Sequence, residues 1–325
     1  MANTCTVGIL SDIHYASAAE RARGDDFEYR DLANPLLRHF LRLHRRYIWL
    51  YRPLHQNHLL EAFLQRASAP DYVIANGDYS CDTLAIGVSD DAACLSAREC
   101  LARLRQQFGP NFRAVLGDHE LGKLSFIGRR GGLRLASWRR ALAELGIEPF
   151  WQLALGQYVL LAVASTLVAL PVFQADALPE ELPLWEALRA QHLAQIRRAF
   201  TALAPGQRVL LFCHDPSALP FLWQEETVRA RLPQIEQTIV GHLHTNLVLR
   251  QSRLLAGMPT IRFLGHTVAR LTAALRVARH WRPFRVRLCP ALAGVELLKD
   301  GGFYTVELDL AAQRPARFQF HRLPR

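Results

Sequence analysis

Five short clusters of Asp and His punctuate the chain: Asp12-Ile13-His14, Asn76-Gly77-Asp78, Gly117-Asp118-His119-Glu120, Cys213-His214-Asp215-Pro216 and Gly241-His242-Leu243-His244. Carboxylate oxygens and imidazole nitrogens are ligands for divalent Mn, Fe, Zn and related ions. The absence of any Cys-x-x-Cys argues against a zinc–thiolate site. Two such ions held close together repel each other and need a shared anionic ligand. Asp78, at the end of a central strand, can supply it. Two-metal hydrolases hold their ions ~3.5–4 Å apart, where they polarise phosphoryl oxygens and activate a water. Each cluster alone is a weak signal. Asn-Gly-Asp is commonly only a turn, and a lone His is commonly a packed or surface residue. In Asp12-Ile13-His14, an extended segment would point both side chains the same way. All five in one chain specify a site.

The elements that must position these residues are legible around them. Four of the clusters directly follow an apolar run that reads as a buried strand, and the first follows the shorter run 6–10. A strand ending in a ligand delivers it to the C-terminal rim of a sheet. The apolar pattern predicts strands near 5–10, 71–76, 112–117, 157–164, 207–213, 236–240, 260–264, 302–309 and 316–321. Helical spacing fits 34–51, 55–67, 89–108, 133–146, 183–204 and 217–231. Strands alternating with helices argue for an α/β fold. No linker or repeat interrupts the 325 residues, so the expectation is a single domain, 1–325. A helical insert, 34–66, follows the first strand, and 267–325 forms a C-terminal extension that completes the sandwich.

The ordered set Asp-x-His, Gly-Asp, Gly-Asp-His-Glu, His and Gly-His-x-His resembles the calcineurin-like metallophosphoesterase superfamily, across residues 5 to about 266. The resemblance implies a four-layer αββα sandwich with two metal ions at the strand ends. It implies that Asp12, His14 and His244 hold one ion, that Asp118, His214 and His242 hold the other, and that Asp78 bridges them. His119 would contact the phosphate and help protonate the leaving group, with Glu120 orienting His119 through a hydrogen bond. Loss of Asp78 or His119 is expected to be catalytically severe. The family usually carries Asn where this chain has Asp118. The added charge is expected to tighten ion binding and favour a harder ion such as Mn over Fe or Zn.

Composition bears on the substrate. The chain carries a net charge of +10, nearly all of it arginine, with lysine only at 123 and 299. Arginine recognises phosphate in a forked, bidentate manner. In the segment 34–66, Leu36, Phe40, Leu43, Tyr47 and Leu50 form one helical stripe, while Arg38, Arg42, Arg45 and Arg52 line another face. Residues 267–290 repeat the character with Arg270, Arg276, Arg279, Arg282, Arg285 and Arg287 among Leu271, Leu275, Trp281 and Phe284. Such segments suit an anionic membrane surface. They are more apolar than a groove tracking nucleic acid needs, although Trp49 or Trp281 could stack on bases. The expectation is therefore hydrolysis of a lipid-linked or membrane-associated phosphodiester or pyrophosphate. The alternatives are a hydrolase of soluble small phosphoesters or nucleotides, and a non-catalytic metal-stabilised scaffold for anionic partners.

The six cysteines lack a disulfide pattern, and the N-terminus lacks the features of a signal peptide. A cytoplasmic protein, peripheral at the inner membrane face, is expected. The uncharged stretch 153–173 is interrupted by Gly156, Gln157 and Pro171, and reads as a buried strand and loop rather than a membrane span. Tyr15, Asp82, Lys123 and His266 are further polar residues near the motifs.

Overall fold

A computed structural model describes residues 4–323 except 25–26, 28, 30–31, 68–69, 82–86, 124–130 and 264–265. Two five-stranded mixed sheets form its centre. The strands are β1 (Thr4–Leu10), β2 (Tyr72–Ala75), β3 (Phe112–Ala114), β4 (Phe150–Leu155), β5 (Tyr158–Val163), β6 (Arg208–Cys213), β7 (Ile235–Val240), β8 (Val286–Leu288), β9 (Gly302–Asp309) and β10 (Arg317–Arg322). The first sheet runs β10-β9-β1-β2-β3 and the second β4-β5-β6-β7-β8. Within them β1, β2 and β3 are parallel neighbours, and so are β5, β6, β7 and β8. β1 also pairs antiparallel with β9, so the C-terminal residues complete the first sheet.

Central parallel strands are covered on both faces and therefore read as unbroken apolar runs. β5 shows how. Tyr158, Leu160 and Ala162 pack in the layer between the sheets, together with Val7 and Ile9 of β1 and Phe212 of β6. Val159, Leu161 and Val163 face the other way, into the larger core shared with Trp185, Ile196 and Phe200 of the helix Leu182–Thr201. Helices thus cover the outer faces, and the layering is an α/β sandwich.

Several elements differ from the sequence pattern. Residues 153–173 hold the hairpin β4–β5, turning at Gly156, and then the short helices Ser165–Val168 and Leu170–Phe173. The hairpin was hidden because its two strands and turn read as one uncharged run. The strand expected at 260–264 is absent among its described residues, and a helix, His266–Val277, begins there instead. β8 was missed because its three residues sit inside an arginine-rich stretch.

The helix predicted over 34–51 is an α-helix, Pro35–His44, capped by the Asn34 side chain, followed by a π-helical turn, Arg45–Trp49. None of its ten helical residues is buried. Its apolar stripe therefore faces outward instead of packing on the core. The helix Asn57–Arg66 does pack, through Leu59, Leu60 and Phe63. In the second basic segment, Leu275, Trp281 and Phe284 are buried, so only Leu271 of its four apolar residues lies open. Burial of Trp281 removes it as a platform for stacking bases. Among the described residues no helix is long and apolar enough to cross a membrane.

Candidate metal centre

The five clusters converge where the parallel strands end. Asp12 and His14 follow β1, Asp78 follows β2 and Asp118 follows β3, all on the first sheet. His214 follows β6, while His242 and His244 follow β7, on the second sheet. The seven side chains form two groups: Asp12, His14 and His244, and Asp78, Asp118, His214 and His242. Within each group the ligand atoms lie within 4.8 Å of one another. Both groups draw on both sheets.

Local backbone geometry makes this convergence. Asp12, His14, Asp78, His242 and His244 all have left-handed φ, from 49° to 60°. That conformation is uncommon outside glycine, although Asp and His adopt it more readily than most residues, and it is kept where the surroundings enforce it. Asp12 and His14 are therefore not two steps along an extended segment. The chain turns at each, and its amides bond across to the next rim, with Asp12 N–H donating to Gly77 O at 3.1 Å and Ile13 N–H to Asp78 O at 2.9 Å. The glycines of two motifs are required for close approach. A Cβ at Gly117 would strike the Asp78 carboxylate and amide, and one at Gly241 would strike Ser11 Oγ and Asp12.

The donor set fits two cations. His14 Nδ1 lies 3.2 Å from Ser80 O, a carbonyl that only accepts, so Nδ1 carries the hydrogen. His14 Nε2 then presents a lone pair to His244 Nε2 at 3.2 Å. A neutral His244 can bridge them with an Nε2–H, whereas a cation seated between the rings would take a lone pair from each. Burial and the neighbouring His14 hold His244 well below the ordinary imidazole range, so its ring is neutral and has a lone pair to offer an ion. In the second group His214 Nδ1 lies 2.5 Å from Asn76 O, which fixes the same tautomer. Its Nε2 faces Asp118 Oδ1 and Asp78 Oδ2, each at 3.0 Å. Asp78 Oδ2 is buried and makes no hydrogen bond despite that approach. His242 Nδ1 adds a contact to Asp118 Oδ1 at 2.8 Å. Burial lowers the basicity of His214 and His242, but the Asp78 and Asp118 charges overcome it and raise both. An ion in the second group would satisfy the same nitrogen and oxygen atoms that face one another there. Burial and Asp118 push Asp78 upward, yet the imidazoles of His119 and His214 prevail and lower it.

His119 and Glu120 lie on the short helix Asp118–Leu121. His119 Nε2 sits 3.7 Å from Asp78 Oδ2, and its ring meets His14 edge-on at 5.0 Å. Glu120 does not hold the His119 ring. Its carboxylate accepts from the amides of Gly117 (3.0 Å), Asp78 (3.1 Å) and Tyr79 (2.8 Å). Consecutive side chains on a helical turn point apart, so Glu120 clamps the Asp78 loop instead. Burial and Asp78 push its carboxyl up to about 8, against the pull of those N–H donors.

Burial lowers His119 to about 4, with Asp78 opposing. Its folded-state value lies below the ordinary 6.5, so its contribution to stability is present above pH 6.5 and is lost as pH falls through about 4. The metal-free protein should therefore lose on the order of 3 kcal/mol over that window. Thermal melts in chelator at several pH values, with His119→Gln as control, measure it. An identical pH slope in the variant would contradict the assignment.

Two further side chains border the ligands: Lys123, whose place near a metal motif left it either beside the ligands or simply solvated, and Trp49, which no metal motif contains. Lys123 pairs with Asp118 Oδ2. Trp49, delivered by the π-helical turn, lies on His244 with ring centroids 4.9 Å apart. The only sequence signal for Lys123 is its rarity and its distance of five residues from Asp118; for Trp49 there is none. Tyr15 is buried, with Arg103 over its ring at 5.5 Å. Asp82 lies outside the described residues, and His266 begins a helix.

Among solved structures, a dimetal phosphatase from Danio rerio shares the fold at 15% identity, with a TM-score of 0.50 over 97% of this chain and 95% of that one. A purple acid phosphatase from yellow lupin (Lupinus luteus) seeds aligns at 10% identity and a TM-score of 0.45, over 99% of this chain and 52% of that one. A phosphopantetheinyl hydrolase from Mycobacterium tuberculosis aligns at 16% identity and a TM-score of 0.37, over 75% and 84%. A search of curated proteins found no match. A profile described as calcineurin-like phosphoesterase matches residues 5–246, the span that holds all seven side chains of the two groups. By that match, the chain belongs to the calcineurin-like phosphoesterase family.

Proposed function

We propose that this metal-dependent phosphoester hydrolase acts on a phosphodiester or pyrophosphate whose organic part is a lipid, at an anionic membrane surface. The observation that carries the substrate class is a cavity of about 560 Å³ lined both by residues of the metal groups and by apolar side chains. His119, His242 and His244 are in its wall, together with Leu41, Phe173 and Leu271 and with the cations Arg45, Lys123 and Arg270. Cavities of this size suit a small organic group, and an apolar lining selects an apolar one.

The flanks of the cavity support a membrane partner. On the helix Pro35–His44, Leu36 is 80% and Phe40 62% exposed. Leu271, which lines the cavity, is 57% exposed. Beside them Leu297 and Leu298 are exposed, and the Leu297 amide bonds to Ile48 O at 3.2 Å. Apolar side chains so exposed, with arginines on the same helix, match an interfacial helix.

Two divalent ions bound there would supply charge to the phosphoryl oxygens and activate a water. The chain's own residues divide the remaining work. Asp12, His14 and His244 would hold one ion; Asp118, His214 and His242 would hold the other; Asp78 would serve both. Glu120 fixes the Asp78 loop through its amides. His119, in the cavity wall and outside both groups, contacts the phosphate and gives its proton to the leaving oxygen. An anionic substrate beside it raises its proton affinity, offsetting the lowering by burial. Oxygen and nitrogen ligands suit Mn, Fe or Zn. We favour Mn for the carboxylates of Asp78 and Asp118, not for net charge, because Lys123 balances Asp118.

Flotation with vesicles containing phosphatidylglycerol tests the surface. The parent should float. Leu36→Asp with Phe40→Asp should weaken recovery at least about tenfold, with the rate on a soluble aryl phosphodiester kept. Equal recovery with and without vesicles, together with equal rates on short- and long-chain esters, would favour a soluble small phosphoester.

A further inference from the structure

Asp118 stands where the family resemblance implies Asn, and the structure gives the substitution a partner. The two oxygens of Asp118 are used differently. Oδ1 faces His214 Nε2 at 3.0 Å and His242 Nδ1 at 2.8 Å. Oδ2 takes the Lys123 ammonium in an ion pair. The two side chains are 2% and 12% exposed, so water does little to screen them. Gly122 ends the short helix at φ 83°, with its amide bonded to Asp118 O, and this turn brings Lys123 back over the residue five places earlier.

The choice of lysine matters. An arginine fork tends to engage both oxygens of a carboxylate, whereas a lysine ammonium is a compact point charge. Lys123 can take one oxygen and leave the other free. This chain uses arginine almost everywhere else and keeps only two lysines. An asparagine side chain offers a metal one oxygen and no net charge. An aspartate with one oxygen held by an ammonium offers the same.

We infer that Lys123 is a positioning residue that confines Asp118 to a single metal-facing oxygen and cancels its charge, so that the pair does the work of one asparagine. This rests on the two-ion reading above. It predicts metal affinities that move in opposite directions. Removing the ammonium leaves a net negative site, and removing the carboxylate leaves a net positive one.

The measurement is equilibrium dialysis of Mn²⁺ against the full chain after chelator treatment, with no substrate present. Lys123→Met should tighten one of the two Mn²⁺ equivalents about tenfold or more, by the gain of one unscreened charge. Asp118→Asn should weaken the same equivalent about 10–100-fold. The double variant should return to within about threefold of the parent, as cancelling charges require. A lysine with a merely structural role would weaken binding wherever it is removed. The inference is overturned if Lys123→Met weakens Mn²⁺, or if the double variant binds as poorly as Asp118→Asn. It is also overturned if Lys123→Met leaves Mn²⁺ unchanged and weakens only inhibition by inorganic phosphate, which would make Lys123 a substrate contact. Lys123→Gln repeats the test should the Met variant fold poorly. A parent that takes up fewer than two Mn²⁺ brings down the two-ion reading itself, and this inference with it.

Discussion

Asp78→Asn should lower hydrolysis of an aryl phosphodiester by about 10³-fold or more, because the metal ions contribute several kcal/mol to the reaction. Asp78 is the residue on which the site turns. Its Oδ2 is buried without a hydrogen bond, its Oδ1 accepts the His119 amide at 3.0 Å, and its own amide is held by Glu120. Its side chain also approaches His214 Nε2 at 3.0 Å. Asn is the informative replacement. It tolerates the left-handed conformation that Asp78 adopts at φ 59°, where Ala would add ~1–2 kcal/mol of backbone cost. Metal content and circular dichroism should be measured with the rate. Fewer bound ions in a folded protein is the expected result. A variant that folds and works at the parental rate removes Asp78 from the chemistry.

His119→Gln should behave differently. His119 lines the cavity but belongs to neither ligand group, so the variant should keep its metal content. The rate should fall about 10²–10⁴-fold, the usual worth of a positioned acid–base group. The loss should depend on the leaving group. An aryl oxygen departs readily without a proton, while an alkyl oxygen needs one, so alkyl esters should suffer more. A loss of equal size across leaving groups would assign His119 to phosphate binding rather than to proton transfer.

The sequence showed where the ligands are but not how they are held. Strands that end in Asp or His are visible as apolar runs, and β1, β2, β6, β7 and β9 fall within one or two residues of the pattern. All seven candidate ligands are brought together, because short sequence distance from a central strand fixes position in space. The left-handed turns at Asp12, His14 and His244 are not visible, since they arise from contacts between rims that are far apart in the chain. The same holds for Glu120. Its neighbour His119 suggested the wrong partner, whereas the amides it holds come from another loop. The stripe on Pro35–His44 has a spacing that suits either a core-packing or an interfacial helix, and the exposure of Leu36 and Phe40 distinguishes them from core positions. Lys123 was visible as a residue, and its meaning lay in an ion pair.

Both groups of ligands take members from both sheets, and this has a consequence beyond chemistry. An ion seated in either group rivets one half of the sandwich to the other. Ions that bind only the closed halves strengthen the fold as their concentration rises, by about 2.7 kcal/mol per site at a hundredfold excess over Kd. In a cell starved of such ions the protein would thus be scarcer as well as slower, as loosened halves are opened to proteolysis.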